Sequence, residues 1–368
     1  MNKTLLALAV TAATIGTQAN GLEIYNKAGT QMSIGGHATI GLTGAHAGKD
    51  ARVEEKSPRI NLEVIHYLGN GFKADFKGEW AMNMLEGGKN TFTTRLGYIG
   101  IGHETYGRIA AGTQWSPYYM AAGVVDTPIG WSNDFLYDNQ GLFGTARADK
   151  LAAYYNTIDF DEAGALTIGA GWQGANSVDE TIGYKQDGKT VAGAGDQVYS
   201  TKTQTWLSSQ NRGQVAIGYT ISGFNVNYAF NSGNVVERNV AKLAESNLVS
   251  AKYGNFGTGL YVAATFADNK NMNSFDSKLI AKTQAVDSIL AYGFDMGLNL
   301  ILKHEEMQDT ENNVRVKSGT SVQAEYTINP RVRAYTGYNF DNQGETGVNV
   351  DYRKAKDNQF IIGTRFYL

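Results

Sequence analysis

The chain has 368 residues, and 32 basic side chains nearly balance 35 acidic ones, for a formal net charge of −3 at pH 7. This balance argues against nucleic acid as a partner, and the absence of cysteine excludes disulfides, thiol catalysis and cysteine-based metal sites. With 44 glycines and 21 tyrosines but only 4 prolines, the composition is typical of tightly turning strands with aromatic girdles.

The first residues have the pattern of a secretory signal peptide. Lys3 gives a positive start, residues 4–15 are an apolar run, and residues 19–21, Ala-Asn-Gly, form a small-x-small cleavage site. We therefore expect residues 1–21 to be removed, leaving residues 22–368 as one domain, with cleavage after Ala19 as the alternative. After this segment no window of about 18 apolar residues occurs, so no membrane-spanning helix is predicted.

The region after the leader alternates between apolar and polar side chains. Residues 72–82 read Phe-Lys-Ala-Asp-Phe-Lys-Gly-Glu-Trp-Ala-Met, which places the aromatic rings on one face of a strand and four charged side chains on the other. The same pattern returns in further segments of about ten residues with turn residues between them, which is the signature of a transmembrane β-barrel. Lipid would contact one face of each strand and an aqueous lumen the other.

Counting these segments predicts an all-β, antiparallel barrel of sixteen strands, with an even number as bacterial barrels require. Long gaps at 116–146 and 174–212 contrast with short ones such as 222–223, so we expect long extracellular loops and short periplasmic turns. The predicted strands cover residues 31–43, 57–67, 72–82, 93–102, 108–115, 147–157, 166–173, 213–221, 224–231, 246–254, 258–267, 281–292, 298–305, 318–327, 331–340 and 358–368.

An open barrel would leave unpaired backbone groups in lipid, so the last strand is expected to pair with the first. In this last strand Arg365 falls on the lumen face, whereas the lipid face carries Phe360, Ile362, Thr364, Phe366 and Leu368.

No enzymatic site is predicted, because the chain has neither an H-x-x-x-H zinc spacing nor a Gly-x-Ser-x-Gly elbow. We therefore predict no catalytic residue, no cofactor and no metal ligand. The five histidines are scattered singly, at His37, His46, His66, His103 and His304.

Over the whole mature chain, the sequence resembles the general, trimeric porins of the Gram-negative outer membrane. The most specific piece is residues 22–29, Leu-Glu-Ile-Tyr-Asn-Lys-Ala-Gly, which is similar to the mature start of that family. Further matches are Thr-Arg-Leu-Gly-Tyr-Ile-Gly at 94–100, Tyr-Gly-Arg at 106–108 and Tyr-Tyr-Asn at 154–156. The final aromatic strand also matches, except that the family usually ends in Phe and this chain ends in Leu368.

The resemblance implies a channel for passive diffusion of ions and small hydrophilic solutes. It also implies a location in the outer membrane, contact with its lipid and lipopolysaccharide, and a homotrimer in which the second loop, here the short segment 83–92, contacts a neighbouring subunit. The first residues would continue the last strand. Two alternatives stay open: a porin selective for sugars such as oligosaccharides, and a barrel that acts mainly as an adhesin or receptor through residues 174–212.

In this family the third loop folds into the lumen and faces a ladder of arginines across a constriction. The resemblance places Arg59, Arg95 and Arg147 on the basic wall, with His37 where the family often has Lys. Strand parity independently predicts that Arg59 and His37 point into the lumen, because Ile60 and the apolar neighbours of His37 lie on the opposite face.

The acidic side of the constriction would lie on the third loop, residues 116–146. Asp126 matches the family's first aspartate there, but the glutamate that follows the proline in the family is replaced, so Asp134 and Asp138 are further candidates. If Asp134 does not reach the lumen, we expect weak or anion-leaning selectivity; if it does, a modest cation preference.

Aromatic residues crowd the same loop, and an aromatic plane can stack on a sugar ring. Trp115, Tyr118 and Trp131 are therefore candidates for sugar stacking, with packing of the loop against the inner wall as the alternative.

Overall fold

The computed structural model describes residues 21–45, 50–87, 92–132, 135–185, 199–354 and 357–368. Within these ranges no helix is both long and apolar enough to cross a membrane. The helices are α1 (Pro117–Ala122) and α2 (Gln140–Phe143), with 3₁₀ turns at Gly123–Val125, Phe135–Tyr137 and Asp161–Ala163. The strands are β1 (Leu22–Lys27), β2 (Thr30–Ala45), β3 (Arg52–Glu55), β4 (Arg59–Gly69), β5 (Phe72–Met82), β6 (Phe92–His103), β7 (Gly107–Trp115), β8 (Arg147–Asp159), β9 (Ala165–Gln173), β10 (Asn176–Lys185), β11 (Tyr199–Ile221), β12 (Phe224–Glu237), β13 (Val240–Asn255), β14 (Thr258–Phe275), β15 (Lys278–Gly293), β16 (Leu298–Asp309), β17 (Val314–Asn329), β18 (Val332–Asp341) and β19 (Gln359–Tyr367).

Sixteen of these strands form a closed antiparallel ring. They are β2, β4–β9 and β11–β19, and each pairs with the next member of the series. The ring closes because β19 pairs with β2, from Gln359 opposite Ala45 to Tyr367 opposite His37. The predicted sixteen-stranded barrel and its closure are therefore confirmed.

The N-terminal strand β1 extends the last barrel strand. It pairs with the same edge of β2 that β19 uses, but lower down, with Leu22 opposite Ile34 and Lys27 opposite Thr30. The Leu368 amide donates to the Gly36 carbonyl oxygen at 3.1 Å, so the two segments nearly meet. This is the arrangement that the resemblance of residues 22–29 implies.

The two faces of the wall have opposite character, as β14 illustrates. Leu260 and Phe266 lie on the outer surface and are 44% and 41% exposed, whereas Thr265 and Asn269 on the inner face are buried within the lumen. In a membrane the exposed apolar face contacts lipid and its apolar area stays out of water. The alternation is therefore a consequence of having two solvents on the two sides of one sheet.

Several strands extend further than the sequence pattern predicts. The expectation of a loop over 174–212 is wrong for part of that segment, because β10 pairs with residues 199–209 of β11. The predicted gap between β12 and β13 is only a two-residue turn at Arg238 and Asn239, with φ of 45° and 72°, the geometry of a type I′ hairpin. Beyond the lipid both faces of a strand contact water, so the alternation that identifies a membrane strand is lost there.

The described parts of the third loop, residues 116–132 and 135–146, lie inside the barrel. Its first helix presents Tyr118, whose hydroxyl is 2.7 Å from Ser246 Oγ on β13. Its return segment is held by Asn231 of β12, which donates to the Phe143 carbonyl oxygen at 2.7 Å. Both contacts join the loop to inward-facing residues of the far wall, so the loop narrows the lumen.

Candidate functional site

The basic wall is built on neighbouring strands whose inward residues are fixed by register. His37 on β2 lies directly opposite Arg59 on β4, and Arg59 lies opposite Ala81 near the end of β5. Glu79 on β5 accepts from Arg95 Nε of β6 at 2.8 Å and lies 3.6 Å from Arg59 Nη1. The two arginines are thus gathered around one carboxylate.

Ser57 fixes the same two guanidinium groups from the segment before β4. Its carbonyl oxygen accepts from Arg59 Nε at 3.1 Å and its hydroxyl oxygen from Arg59 Nη2 at 3.0 Å. The hydroxyl oxygen also accepts from Arg95 Nη1 at 3.0 Å. The backbone of Ser57 is left-handed, with φ of 52°, an uncommon conformation for a residue with a side chain. The arginine tips are therefore held in place rather than free in the lumen.

The wall continues onto β18 and β19 through two arginines that lie directly opposite each other, Arg333 and Arg365. Like charges in this position repel. Glu325 offsets the repulsion, because its Oε2 accepts from Arg333 Nη1 at 3.1 Å. Arg365 instead donates from Nε to Thr39 Oγ1 at 2.8 Å, and no carboxylate pairs with it among the described residues.

Asp126 faces this wall from the third loop, and two tyrosine hydroxyls hold it. Tyr119 Oη donates to Asp126 Oδ2 at 2.7 Å, and Tyr137 Oη donates to the same oxygen. Burial raises the pKa of both hydroxyls, and the neighbouring Asp126 carboxylate raises it further. Both tyrosines therefore stay protonated as donors at any physiological pH.

Arg147 enters the site at the start of β8 and is held by aromatic rings. Its guanidinium carbon lies 5.5 Å from the centre of the Trp115 ring and 5.6 Å from that of Tyr137. Rings attract cations in this range. No carboxylate pairs with Arg147 within the described part of the chain.

A cavity of about 570 Å³ lies between the wall and the loop. It brings together six residues that the sequence analysis named for this region: His37, Arg59, Arg95, Trp115, Asp126 and Arg147. Its other charged lining residues are Glu54, Glu55, Lys56, Arg333 and Arg365.

A model of the Gram-negative porin family matches residues 4–346 of the chain. The chain belongs to this family. The protein is therefore an outer-membrane porin, a water-filled channel through which ions and small hydrophilic solutes diffuse passively. The family consists of channels and is not a class of enzymes.

Curated relatives cover the whole porin at low identity. It is 24% identical to the outer membrane porin protein OmpD of Citrobacter koseri, over 100% of this chain and 99% of that protein. It is 26% identical to outer membrane protein U of Vibrio parahaemolyticus, again over 100% of this chain and 99% of that protein.

Solved structures share the fold of this porin. The OmpF of Salmonella typhi in complex with daunomycin has a TM-score of 0.70 at 19% identity, covering 94% of this chain and 100% of that one. An anion-selective porin from Comamonas acidovorans has a TM-score of 0.66 at 13% identity, over 92% and 100% of the two chains. The trimer form of OmpT from Vibrio cholerae has a TM-score of 0.60 at 15% identity, over 93% and 100%.

The remaining candidates lie elsewhere in the porin. Tyr118 is 2% exposed and has no ring face open to a solute. Asp138 accepts from the Ser274 amide and hydroxyl on β14, away from the basic wall, and burial raises the pKa of its carboxyl. Trp131 lines a second cavity, and Asp134 lies outside the described residues.

Glu79, Arg333 and Lys56 belong to this site although no sequence motif places them there. The alternation of β5 places Glu79 on the charged face of that strand, which faces the lumen. The alternation of β18 places Arg333 on the lumen face in the same way. Parity gives only the face of a side chain, however, and the height at which it meets the third loop depends on how the strands tilt.

Proposed function

We propose that the cavity between the basic wall and the third loop is the constriction of a general diffusion channel. The observation that supports this most directly is the facing arrangement of Asp126 with the arginine wall, across a space of about 570 Å³. Fixed charges on both sides of a narrow aqueous passage lie within a Debye length, about 10 Å at 0.1 M salt, of a permeating ion. The residues named for the cavity therefore control which ions pass.

The constriction favours anions weakly. Its described lining carries more cationic than anionic side chains. Lys56, Arg59, Arg95 and Arg333 each have a carboxylate within 4 Å. Arg147 and Arg365 have no such partner among the described residues, so no described carboxylate compensates their charge.

The test is the zero-current potential of the purified porin in a planar bilayer with a KCl gradient. We expect a small potential of the sign given by excess chloride permeability, and we expect it to shrink as salt rises. The same measurement on Asp134→Asn gives the contribution of Asp134, which lies outside the described ranges, to this potential. A strong cation preference in both proteins would contradict the proposal.

We further propose that the porin is a homotrimer that contacts outer-membrane lipid and lipopolysaccharide. Support comes from the resemblance to trimeric porins and from the related fold of the OmpT trimer form. After insertion of one assembled particle, the current should fall in three equal steps as the pores close one by one at high voltage. Closure of each particle in one step, with a monomer mass in native mass spectrometry, would contradict the trimer while leaving the channel proposal intact.

A further inference from the structure

A second cavity of about 500 Å³ lies on the other side of the third loop, toward the extracellular end of the barrel. Its walls are the described part of the loop, the upper parts of β14 and β16–β18, and residues 343–354 and 357–359. This volume is in the range of pockets that hold small molecules. Ser132 lines both this cavity and the constriction cavity, so a solute in the second cavity lies beside the narrowest part of the channel.

Trp131 gives this cavity an aromatic surface in a fixed position. Gln323 holds its backbone from both sides, since Oε1 accepts from the Trp131 amide at 3.1 Å and Nε2 donates to the carbonyl oxygen at 3.0 Å. The indole packs over Gly337, where a Cβ atom would lie 2.9 Å from Trp131 Cζ3. Only a glycine leaves room for the ring at that point of β18. The Trp131 indole N–H has no hydrogen-bond partner among the described residues.

The polar groups of the cavity have unused hydrogen-bonding capacity but little free charge. The Asn339 side-chain amide points inward from β18, and it has no partner in the described part of the chain. Each lysine of the lining has a carboxylate within 4 Å: Lys303 has Asp287, Lys317 has Glu305 and Lys354 has Asp276. The other carboxylates of the lining accept hydrogen bonds, Asp138 from the Ser274 amide, Asp341 from the Gln343 amide and Asp357 from the Gln359 side chain. Because these charged groups already have partners, the cavity favours an uncharged ligand rather than an ion.

We propose that this second cavity binds a sugar, with one pyranose face against the Trp131 ring and the ring hydroxyls bonded to the Asn339 amide. A sugar has an apolar C–H face, which can stack on an aromatic ring, and a rim of hydroxyls, which can bond to an amide that has no other partner. The proposal rests on the proposed function, because it requires a solute to enter the lumen. The solute that binds above the constriction is then a sugar.

The experiment uses the purified porin in a planar bilayer at 1 M KCl, with maltose added in steps up to about 100 mM, a range that covers weak millimolar binding. At this salt the Debye length is about 3 Å, so electrostatic effects at the constriction are minor. We expect reversible interruptions of the ion current. The half-blocking concentration should rise about three- to tenfold in Trp131→Ala and in Asn339→Ala.

The matched control is Trp172→Ala, which removes a tryptophan that is 54% exposed on the lipid face. It should leave the block unchanged. Gly337→Ala provides a second route if Trp131→Ala does not assemble. Its added methyl would lie 2.9 Å from both the indole and the Val322 carbonyl oxygen, so the ring must shift without being removed. This variant should weaken the block as well.

Ion conductance without sugar tests the proposed function separately. A conducting channel that maltose does not interrupt would overturn the sugar site and leave the diffusion channel intact. A block that survives in Asn339→Ala and in whichever Trp131 or Gly337 variant assembles would also overturn it, because the sugar would then bind elsewhere.

Discussion

Replacing Arg95 by Ser should shift the ion preference of the channel toward cations. Arg95 lines the constriction cavity and donates to Glu79 Oε1 at 2.8 Å. Its removal deletes one positive charge and leaves Glu79 with Arg59 as its arginine neighbour, at 3.6 Å. The smaller side chain also widens the passage, so the conductance should increase.

The size of this shift follows from Coulomb's law. A unit charge about 5 Å from a permeating ion contributes about 0.8 kcal/mol in a water-like dielectric, and screening at 0.1 M salt lowers this to about 0.5 kcal/mol. The energy has opposite signs for cation and anion. Their permeability ratio should therefore change by about 1 kcal/mol, or about fivefold.

The assay is the zero-current potential across a tenfold KCl gradient, measured for the wild type and for Arg95→Ser. Arg353→Ser is the matched control, because Arg353 has 63% of its side chain exposed on a loop outside the cavity. At about 1 M salt the Debye length is about 3 Å, and the shift should fall below about twofold. An unchanged potential in Arg95→Ser at low salt would show that Arg95 does not line the narrowest part of the pore.

Other substitutions test the remaining parts of the site and fold. Asp126→Asn should move the zero-current potential toward anions by a similar amount; a shift toward cations would refute its placement opposite the arginines. Phe76→Arg, near mid-strand on the lipid face, should lower the free energy of unfolding in vesicles by about 2–4 kcal/mol, whereas Lys77→Arg on the next, lumen-facing position should have almost no effect. Equal costs, measured by urea unfolding, would show that the facing assignment is wrong. We also propose that residues 1–21 are cleaved, so N-terminal sequencing of outer-membrane material should begin at Leu22; retention of Met1 would refute the signal peptide.

The barrel could be predicted from sequence because the two faces of a membrane strand contact different solvents. The alternation in residues 72–82 therefore shows which side chains face lipid and which face the lumen. The alternating segment has the same bounds as β5. The extended upper parts of β11 and β12 could not be predicted in the same way. Outside the lipid both faces of a strand contact water. A polar residue such as Asn234 can therefore lie on the outer face, and the apolar pattern that marks a membrane strand is missing there.

The site was predictable to a lesser degree. The family resemblance and parity bring His37, Arg59 and Arg95 to one wall, and the structure places them around one cavity. The sequence of the third loop has no periodic pattern from which its path could be predicted. Its shape depends on long-range bonds such as that between Asn231 and Phe143, which join residues 88 positions apart. Such contacts leave no local pattern in the sequence.

Thiol labelling in the lumen tests the central claim most directly, because the chain has no cysteine of its own. Ser57→Cys introduces a thiol in the constriction cavity at an exposed position beside Arg59, and Val226→Cys introduces one on the lipid face, where Val226 is 60% exposed. A bulky, water-soluble thiol reagent added during single-channel recording should lower the conductance of Ser57→Cys and leave Val226→Cys unchanged. Full conductance in Ser57→Cys, with mass spectrometry showing the thiol modified, would contradict a constriction between the third loop and the arginine wall.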